Sequence, residues 1–151
     1  MTKSRKPTRI PNYDYSRDNY YFITVCTHNK QCIFGEPRAL SDIGTIAAEE
    51  LEKISDRYKT VKIDKYVVMP NHIHAIVILD NTISCDRKNL IHVIGLLKSG
   101  ITRRIHNLIQ GVVWQRSFHD HIIRNQQQYE KIWLYIEANP QRWEKDCFYT
   151  E

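Results

Sequence analysis

Four stretches of the chain are dense in β-branched and aromatic residues, a composition typical of buried strands. These stretches are residues 20–27, 61–69, 72–79 and 112–123. Only Pro70 and Asn71 separate the second from the third, and a proline with fixed φ beside a turn-tolerant asparagine suits a tight reversal. The pattern therefore predicts four strands, of which the middle two form a hairpin.

Apolar residues recur at helical spacing in three further segments, residues 42–58, 90–108 and 126–139. Ser41 or Asp42 is a candidate N-cap for the first helix, and Ser99-Gly100 interrupts the pattern of the second. The third should end before Pro140, because the residue preceding a proline avoids the α region. The resulting β-α-β-β-α-β-α order predicts an α+β, ferredoxin-like fold, an antiparallel sheet with helices packed on a face.

The length of 151 residues is that of one ordinary domain. We therefore expect a single domain over residues 1–151, with a basic arm over residues 1–18 and a short tail over residues 144–151. The four cysteines form no CxxC pair and the first residues contain no apolar run resembling a signal peptide, which favours reduced thiols in the cytoplasm. The longest apolar run, residues 73–79, is far too short to span a bilayer, so we expect no membrane segment.

The net charge of +5 is unevenly distributed along the chain. Residues 87–119 contain six basic side chains and no acidic one, and residues 1–19 contain five basic side chains against two acidic ones. A local excess of this kind is either a solvated face of a basic protein or a binding surface for a polyanion. Charge alone leaves both interpretations open.

His72 and His74 lie at the start of the third predicted strand. Because side chains alternate along a strand, both imidazoles should project from the same face, where they could converge on one cation. Imidazole suits Zn, Mn, Fe or Ni, and an added oxygen ligand would make Mg or Mn plausible. The competing interpretation is a pair of edge histidines on a half-exposed strand.

A second pair, His119 and His121, has the same spacing in the fourth predicted strand. It could form a rival metal site, a second wall of the first site, or a pair of side chains that face DNA. The spacing does not separate these alternatives.

Tyr135 and Asn139 share one face of the last predicted helix, since they are four residues apart. Tyr135 lies at the margin of the apolar stripe formed by Tyr129, Ile132 and Ile136. A tyrosine in that position is often a packing residue with a hydrated hydroxyl, so the helix pattern alone assigns it no chemistry.

Two motifs together carry a resemblance to a known family. The sequence MPNHIH covers residues 69–74, and a helical Tyr135 is followed by Asn139-Pro140. This combination strongly resembles the HUH-type single-tyrosine transposases of small insertion sequences. More narrowly, FHDHIIR over residues 118–124 and NPQRW over residues 139–143 resemble the branch called REP-associated tyrosine transposases. The match runs from about residue 10 to residue 143.

The resemblance implies roles for individual residues. His72 and His74 match the pair that binds a divalent metal, Mg²⁺ or Mn²⁺, and Asn139 matches a polar third ligand. Tyr135 matches the nucleophile, which makes the three residues His72, His74 and Tyr135 the catalytic candidates. Such proteins cleave single-stranded DNA beside a hairpin through a 5′-phosphotyrosine, rejoin strands without a nucleotide cofactor, and commonly form homodimers.

A single-stranded DNA substrate gives the basic segments a use as phosphate contacts. The candidate DNA-binding residues are Lys6, Arg9, Lys98, Arg103, Arg104 and Arg116. One alternative is a phosphodiesterase of the HxHxH kind, but Ile76 occupies its third position. The other is a non-catalytic, domesticated module that binds single-stranded nucleic acid on a ferredoxin-like sheet.

Overall fold

The computed structural model describes residues 9–150. Its main sheet contains four strands, β1 (Asn19–Cys26), β4 (Val61–Met69), β5 (His72–Leu79) and β6 (His119–Ile123), and a two-residue hairpin is formed by β2 (Gly35–Glu36) and β3 (Ala39–Leu40). The helices are α1 (Asp42–Arg57), α2 (Leu90–Ile105) and α3 (Gln126–Ala138), and a 3₁₀ segment (Asn139–Lys145) follows α3.

The four strands are arranged in the order β4-β5-β1-β6, and every neighbouring pair is antiparallel. Strands β4 and β5 form the hairpin predicted around Pro70-Asn71, and β1 lies between β5 and β6. This topology confirms the predicted ferredoxin-like α+β fold.

The two faces of the sheet are covered differently. Helices α1 and α2 cover one face, where alternate residues of the central strands, such as Ile23 and Ala75, are fully buried in the main core. Helix α3 lies on the opposite face, where Ile136 packs with Ile76 and Ile123. The histidine-bearing face is therefore the face of the third helix.

Serine or asparagine caps each helix, and Ser41 is the cap of α1, one of the two candidates predicted there. Ser41, Asn89 and Asn125 each accept a hydrogen bond from a backbone N–H in the first turn of the helix that follows. The predicted interruption of the second helix at Ser99-Gly100 is wrong, because α2 runs through both residues.

The fourth strand is shorter than the pattern indicates. Its pairing begins only at His119, and the preceding segment contributes a single bridge between Trp114 and Thr27. Ser117 has φ +74°, a left-handed conformation that does not continue a strand.

The first described residues pack on the folded chain. The Arg9 guanidinium lies 2.6 Å from the Asp120 carboxylate and 3.4 Å from the centre of the Phe118 ring. Tyr13 and Tyr21 share a hydrogen bond of 2.8 Å between their hydroxyl groups. None of the helices within residues 9–150 combines the length and apolar character needed to cross a membrane.

Candidate active site and metal centre

His72 and His74 lie side by side on the α3 face of the sheet. The turn at Pro70-Asn71 starts β5 at His72, so strand alternation puts both imidazoles on that face with ring centres 4.6 Å apart. Their exposed fractions are 0% and 2%. The two rings are therefore adjacent and shielded from solvent.

One nitrogen of each imidazole is already occupied. The Nδ1–H of His72 donates to Oδ1 of Asn71 at 2.8 Å, and Nδ1 of His74 shares a hydrogen bond of 2.8 Å with the Thr24 hydroxyl. The Asn71 carboxamide is itself oriented, since its Nδ2 donates to the Phe148 carbonyl at 2.7 Å. With its proton on Nδ1, His72 carries a lone pair on Nε2. A side-chain oxygen bonded to Nδ1, as Asn71 and Thr24 provide here, is the kind of partner that orients metal-binding histidines.

The Nε2 atoms of His72 and His74 are buried and have no hydrogen-bond partner. Burial lowers the pKa of His72 to about 2, with a contribution from neighbouring His74, and burial lowers the pKa of His74 to about 4. Both imidazoles are therefore neutral near pH 7. A neutral imidazole with a free Nε2 is the form that binds a metal.

The carboxylate of Asp146 lies beside the two histidines. Its Oδ2 lies 3.7 Å from Nε2 of His72, and the ligand atoms of His72, His74 and Asp146 all lie within 4.8 Å of one another. The sequence analysis missed this residue, because it belongs to the segment treated as a short tail. No periodicity or motif in that segment points back to β5.

Asn139 lines the same cleft as Tyr135 and Asp146. It follows the last turn of α3, its exposed fraction is 2%, and its Nδ2 donates to the backbone carbonyl of Tyr135 at 2.8 Å. Its Oδ1 is buried and has no hydrogen-bond partner. Two imidazole nitrogens with a carboxylate or carboxamide oxygen form a donor set that suits Mn²⁺, Zn²⁺ or Fe²⁺ and also admits Mg²⁺.

Tyr135 stands beside this group in the same chain. Its ring centre lies 5.4 Å from that of His74 and 6.1 Å from that of Phe22. The residue is partly exposed, with an exposed fraction of 41%. Burial of the remainder raises the pKa of the phenol above its usual value. At neutral pH the hydroxyl is protonated and needs activation before it can act as a nucleophile.

The C-terminal segment covers the histidines. The Phe148 ring centre lies 4.6 Å from that of His72, and the Trp143 ring centre lies 6.1 Å from it. A cleft of about 930 Å³ runs along this segment and is lined by Tyr135, Asn139 and Asp146. Tyr135 is partly exposed beside the cleft, whereas the two imidazoles and the Asn139 side chain are buried.

His119 and His121 lie on the same sheet face but on strand β6. Thr24 pairs with both His74 and His119, so β1 lies between the two histidine pairs. Both residues are exposed, and among the described residues neither belongs to a cluster of three potential metal ligands.

The candidate DNA-binding cations are dispersed. Arg9 pairs with Asp120, Lys98 donates to the carbonyls of Gln115 and Ser117, and Arg104 pairs with Glu49 and Glu50. Arg103 and Arg116 are exposed, and Lys6 lies outside the described residues. Their contact with DNA remains a prediction.

Residues 15–139 match the family described as IS200-like transposases. An uncharacterised protein of Haemophilus influenzae is 31% identical, with 97% of this chain and 94% of the relative covered.

Two solved structures share the fold. A REP-associated tyrosine transposase bound to a REP hairpin superimposes with a TM-score of 0.67 at 21% identity, covering 94% of this chain and 74% of the other. A candidate transposase from Deinococcus radiodurans R1 gives a TM-score of 0.56 at 16% identity, covering 91% and 97%.

Proposed function

The chain belongs to the family of IS200-like transposases, and from that membership we propose that it cleaves and rejoins single-stranded DNA beside a hairpin through a 5′-phosphotyrosine on Tyr135. The observation that carries the proposal is the position of the Tyr135 ring, 5.4 Å from the ring of His74, whose Nε2 is buried without a partner. A phenol next to two imidazole nitrogens without hydrogen-bond partners is the arrangement that metal-assisted attack on a phosphodiester requires.

The proposed metal is Mg²⁺ or Mn²⁺, held by His72, His74 and Asn139. When bound, it would polarise the scissile phosphate and offset the charge that develops on it. The free Oδ1 of Asn139 supports its inclusion, and Asp146 supplies an anionic oxygen to the same group. Because two of the donors are imidazoles, Mn²⁺ should bind more tightly than Mg²⁺.

Tyr135 supplies the nucleophile for the proposed cleavage, and solvent takes part in the proton transfers. Attack forms a bond between the Tyr135 hydroxyl oxygen and phosphorus and breaks the bond from phosphorus to the 3′ oxygen. Water accepts the phenolic proton, and the departing 3′ oxygen takes up a proton from solvent. Since the phosphotyrosine retains the energy of the original diester, a 3′-hydroxyl can reverse the reaction without a nucleotide cofactor.

The substrate must reach a site that the C-terminal segment covers. Since His72 has no exposed surface and the Phe148 ring packs on it, a phosphate can reach a metal held at the His72 Nε2 only after Phe148 has shifted. The cleft along Tyr135 and Asn139 is the side from which a strand could enter without displacing the sheet.

The proposed partner is DNA that carries a hairpin beside a single strand. A similar solved structure is described as bound to a REP hairpin, which supports this choice. Phosphate contacts are proposed for Lys6, Arg9, Lys98, Arg103, Arg104 and Arg116, and binding should weaken as salt rises.

We also propose a homodimer, as the resemblance implies. All four cysteines are free, which suits the reducing cytoplasm as the place of reaction.

The test uses hairpin-bearing single strands from the DNA that flanks the gene. With Mn²⁺ or Mg²⁺ the wild-type protein should nick such a strand, whereas Tyr135→Phe and His72→Ala should reduce nicking at least a hundredfold. Tyr129→Phe is the matched control. The Tyr129 hydroxyl donates a hydrogen bond to Asp64, and this bond is the main reason that the pKa of Tyr129 is raised to about 12. Removal of this hydroxyl should therefore leave nicking unchanged.

Nicking that persists in Tyr135→Phe would refute the assignment of the nucleophile. Hairpin binding by the wild-type protein with no nicking under either metal would favour the alternative function, a domesticated module that binds single strands without cleaving them.

A further inference from the structure

Helix α3, which carries Tyr135, makes only a narrow apolar contact with the sheet. Among the residues described for α3, Ile136 alone is buried, and the other apolar residues of its stripe are only partly buried. Helix α2, by contrast, buries a stripe that extends from Leu90 to Ile105. Because a narrow apolar stripe restrains the rotation of a helix about its axis only weakly, contacts on the flanks of α3 must fix its orientation.

Lys65 on β4 contacts one flank of α3. Its Nζ forms an ion pair with Glu137 and lies 4.0 Å from the centre of the Trp133 ring. The side chain of Lys65 is 22% exposed, so its ammonium group is partly shielded from water, which strengthens the attraction to an aromatic face. Since Trp133 and Glu137 are four residues apart, this one lysine holds two successive turns of the helix.

A bulge in β4 turns Lys65 toward α3. The register between β4 and β5 shifts between Ile63 and Lys65, and Asp64 is the extra residue. Lys65 therefore pairs with Ile76, which packs with α3. Without the shift Lys65 would lie opposite Ala75, which is buried on the face that α1 and α2 cover. Bulges redirect side chains in this way, and here the redirected side chain is the one that contacts α3.

Tyr135 projects from the opposite flank of the helix. At about 100° per residue it is rotated by about 200° from both Trp133 and Glu137, and the stripe of Ile136 lies between the two flanks. The Tyr135 ring accordingly packs beside His74 of β5, across the helix axis from the contacts of β4. A rotation of α3 moves both flanks together, so a contact that holds one flank also fixes the other.

A small rotation of α3 would displace the Tyr135 ring by a distance that matters for chemistry. A helix with its side chains has a radius of about 5–6 Å, so a rotation of about 20° moves a ring on its surface by about 2 Å. A misplacement of about 1 Å from the geometry of attack can lower a rate by up to about a hundredfold. The orientation of the helix therefore bears directly on the rate of cleavage.

We propose that Lys65 is a positioning residue for the cleavage reaction. By holding Trp133 and Glu137 over β4, it fixes the rotation of α3 and thereby the place of the Tyr135 hydroxyl beside the histidines. Lys65 acts through the helix rather than on the substrate. This inference rests on the proposed function, because it takes Tyr135 to be the nucleophile.

The experiment separates the rate of nicking from the affinity for DNA. In single-turnover reactions with Mn²⁺ and a saturating hairpin strand, Lys65→Ala should nick about tenfold more slowly than the wild-type protein and bind the strand with unchanged affinity. Lys65→Arg keeps the cation and should keep most of the rate. Lys65→Glu places two carboxylates together and should be slower than Lys65→Ala, whereas the addition of Glu137→Lys restores an opposite pair and should recover most of the loss.

Two matched controls test whether the effect is specific to this contact. Lys62→Ala removes the same charge from the same strand, but the Lys62 Nζ lies 3.6 Å from Asp64 rather than against α3, so nicking should not change. Tyr129→Phe removes a hydrogen bond at the first turn of α3 and keeps the ring, and it should also nick normally. An equal loss of rate in Lys62→Ala would mean that the charge attracts DNA, and it would overturn the inference.

Amide hydrogen exchange tests the same contact without cleavage. In Lys65→Ala the backbone amides of residues 133–138 should exchange about tenfold faster, whereas those of α1 should not change. The inference is overturned if Lys65→Ala nicks at the wild-type rate, weakens DNA binding as much as it slows nicking, or leaves exchange in α3 unchanged. A wild-type protein that does not nick would instead refute the proposed function, and the exchange measurement would still show whether Lys65 holds α3.

Discussion

At the scale of single residues, Thr24 and Asn71 determine what the two histidines can do. Each engages an Nδ1 atom, so both Nε2 atoms are left facing the interior without a partner. Burial then keeps both rings neutral. The sequence predicted the shared face of His72 and His74 from strand alternation. It contained no signal for these two partners, because they depend on side-chain orientation across a turn and across strands.

The lowered pKa values predict how the stability of the metal-free protein varies with pH. In the unfolded chain both histidines bind protons near pH 6.5, whereas in the folded chain they remain neutral until about pH 4 and about pH 2. The unfolded state therefore binds more protons below pH 6.5, and the free energy of unfolding should fall as pH decreases. From pH 6.5 to pH 5 the loss should be on the order of 1–2 kcal/mol for each histidine.

Urea unfolding in the presence of a chelator would measure this loss. The window above pH 5 limits the contribution of carboxylates. His74→Gln should lose less stability over the same interval than the wild-type protein. An unfolding free energy that stays constant from pH 6.5 to pH 5 would contradict the account of two neutral buried imidazoles.

At the scale of elements, two glycines that look alike in the sequence have opposite surroundings. Gly44 in α1 packs so tightly that an added Cβ would lie 2.2 Å from the carbonyl oxygen of Phe34. Gly95 in α2 has no atom within 4 Å of such a Cβ. Helical periodicity predicted both of these helices. It could not rank the glycines, because close approach between elements is a property of tertiary packing.

Replacement of each glycine by alanine should therefore shift stability in opposite directions. Gly44→Ala should destabilise the protein by about 1–3 kcal/mol, since backbone must move to admit the methyl group. Gly95→Ala should stabilise it by about 0.5–1 kcal/mol, because alanine has the higher helix propensity. Urea midpoints measured side by side would check both, and shifts of the same sign would contradict the packing of α1 against Phe34.

At the scale of the whole molecule, distant segments of the chain converge on one small volume. The histidines start β5, Tyr135 and Asn139 end α3, and Asp146 returns from the C-terminal segment to within 3.7 Å of His72. The motifs, through the family resemblance that they carry, had singled out the first four of these residues. Asp146 was not predictable, because it lies in an irregular segment that is fixed only by contacts such as the hydrogen bond from Asn71 to the Phe148 carbonyl.

The most direct test of the central claim is to locate the covalent bond between protein and DNA. After reaction with a hairpin strand and Mn²⁺, trypsin should release residues 132–142 as one peptide, in which Tyr135 is the sole tyrosine, and residues 125–131 as another, which contains Tyr129. Mass spectrometry should find the nucleotide mass on the first peptide, and none after His72→Ala. A nucleotide on the second peptide, or an adduct that survives the loss of His72, would contradict the account.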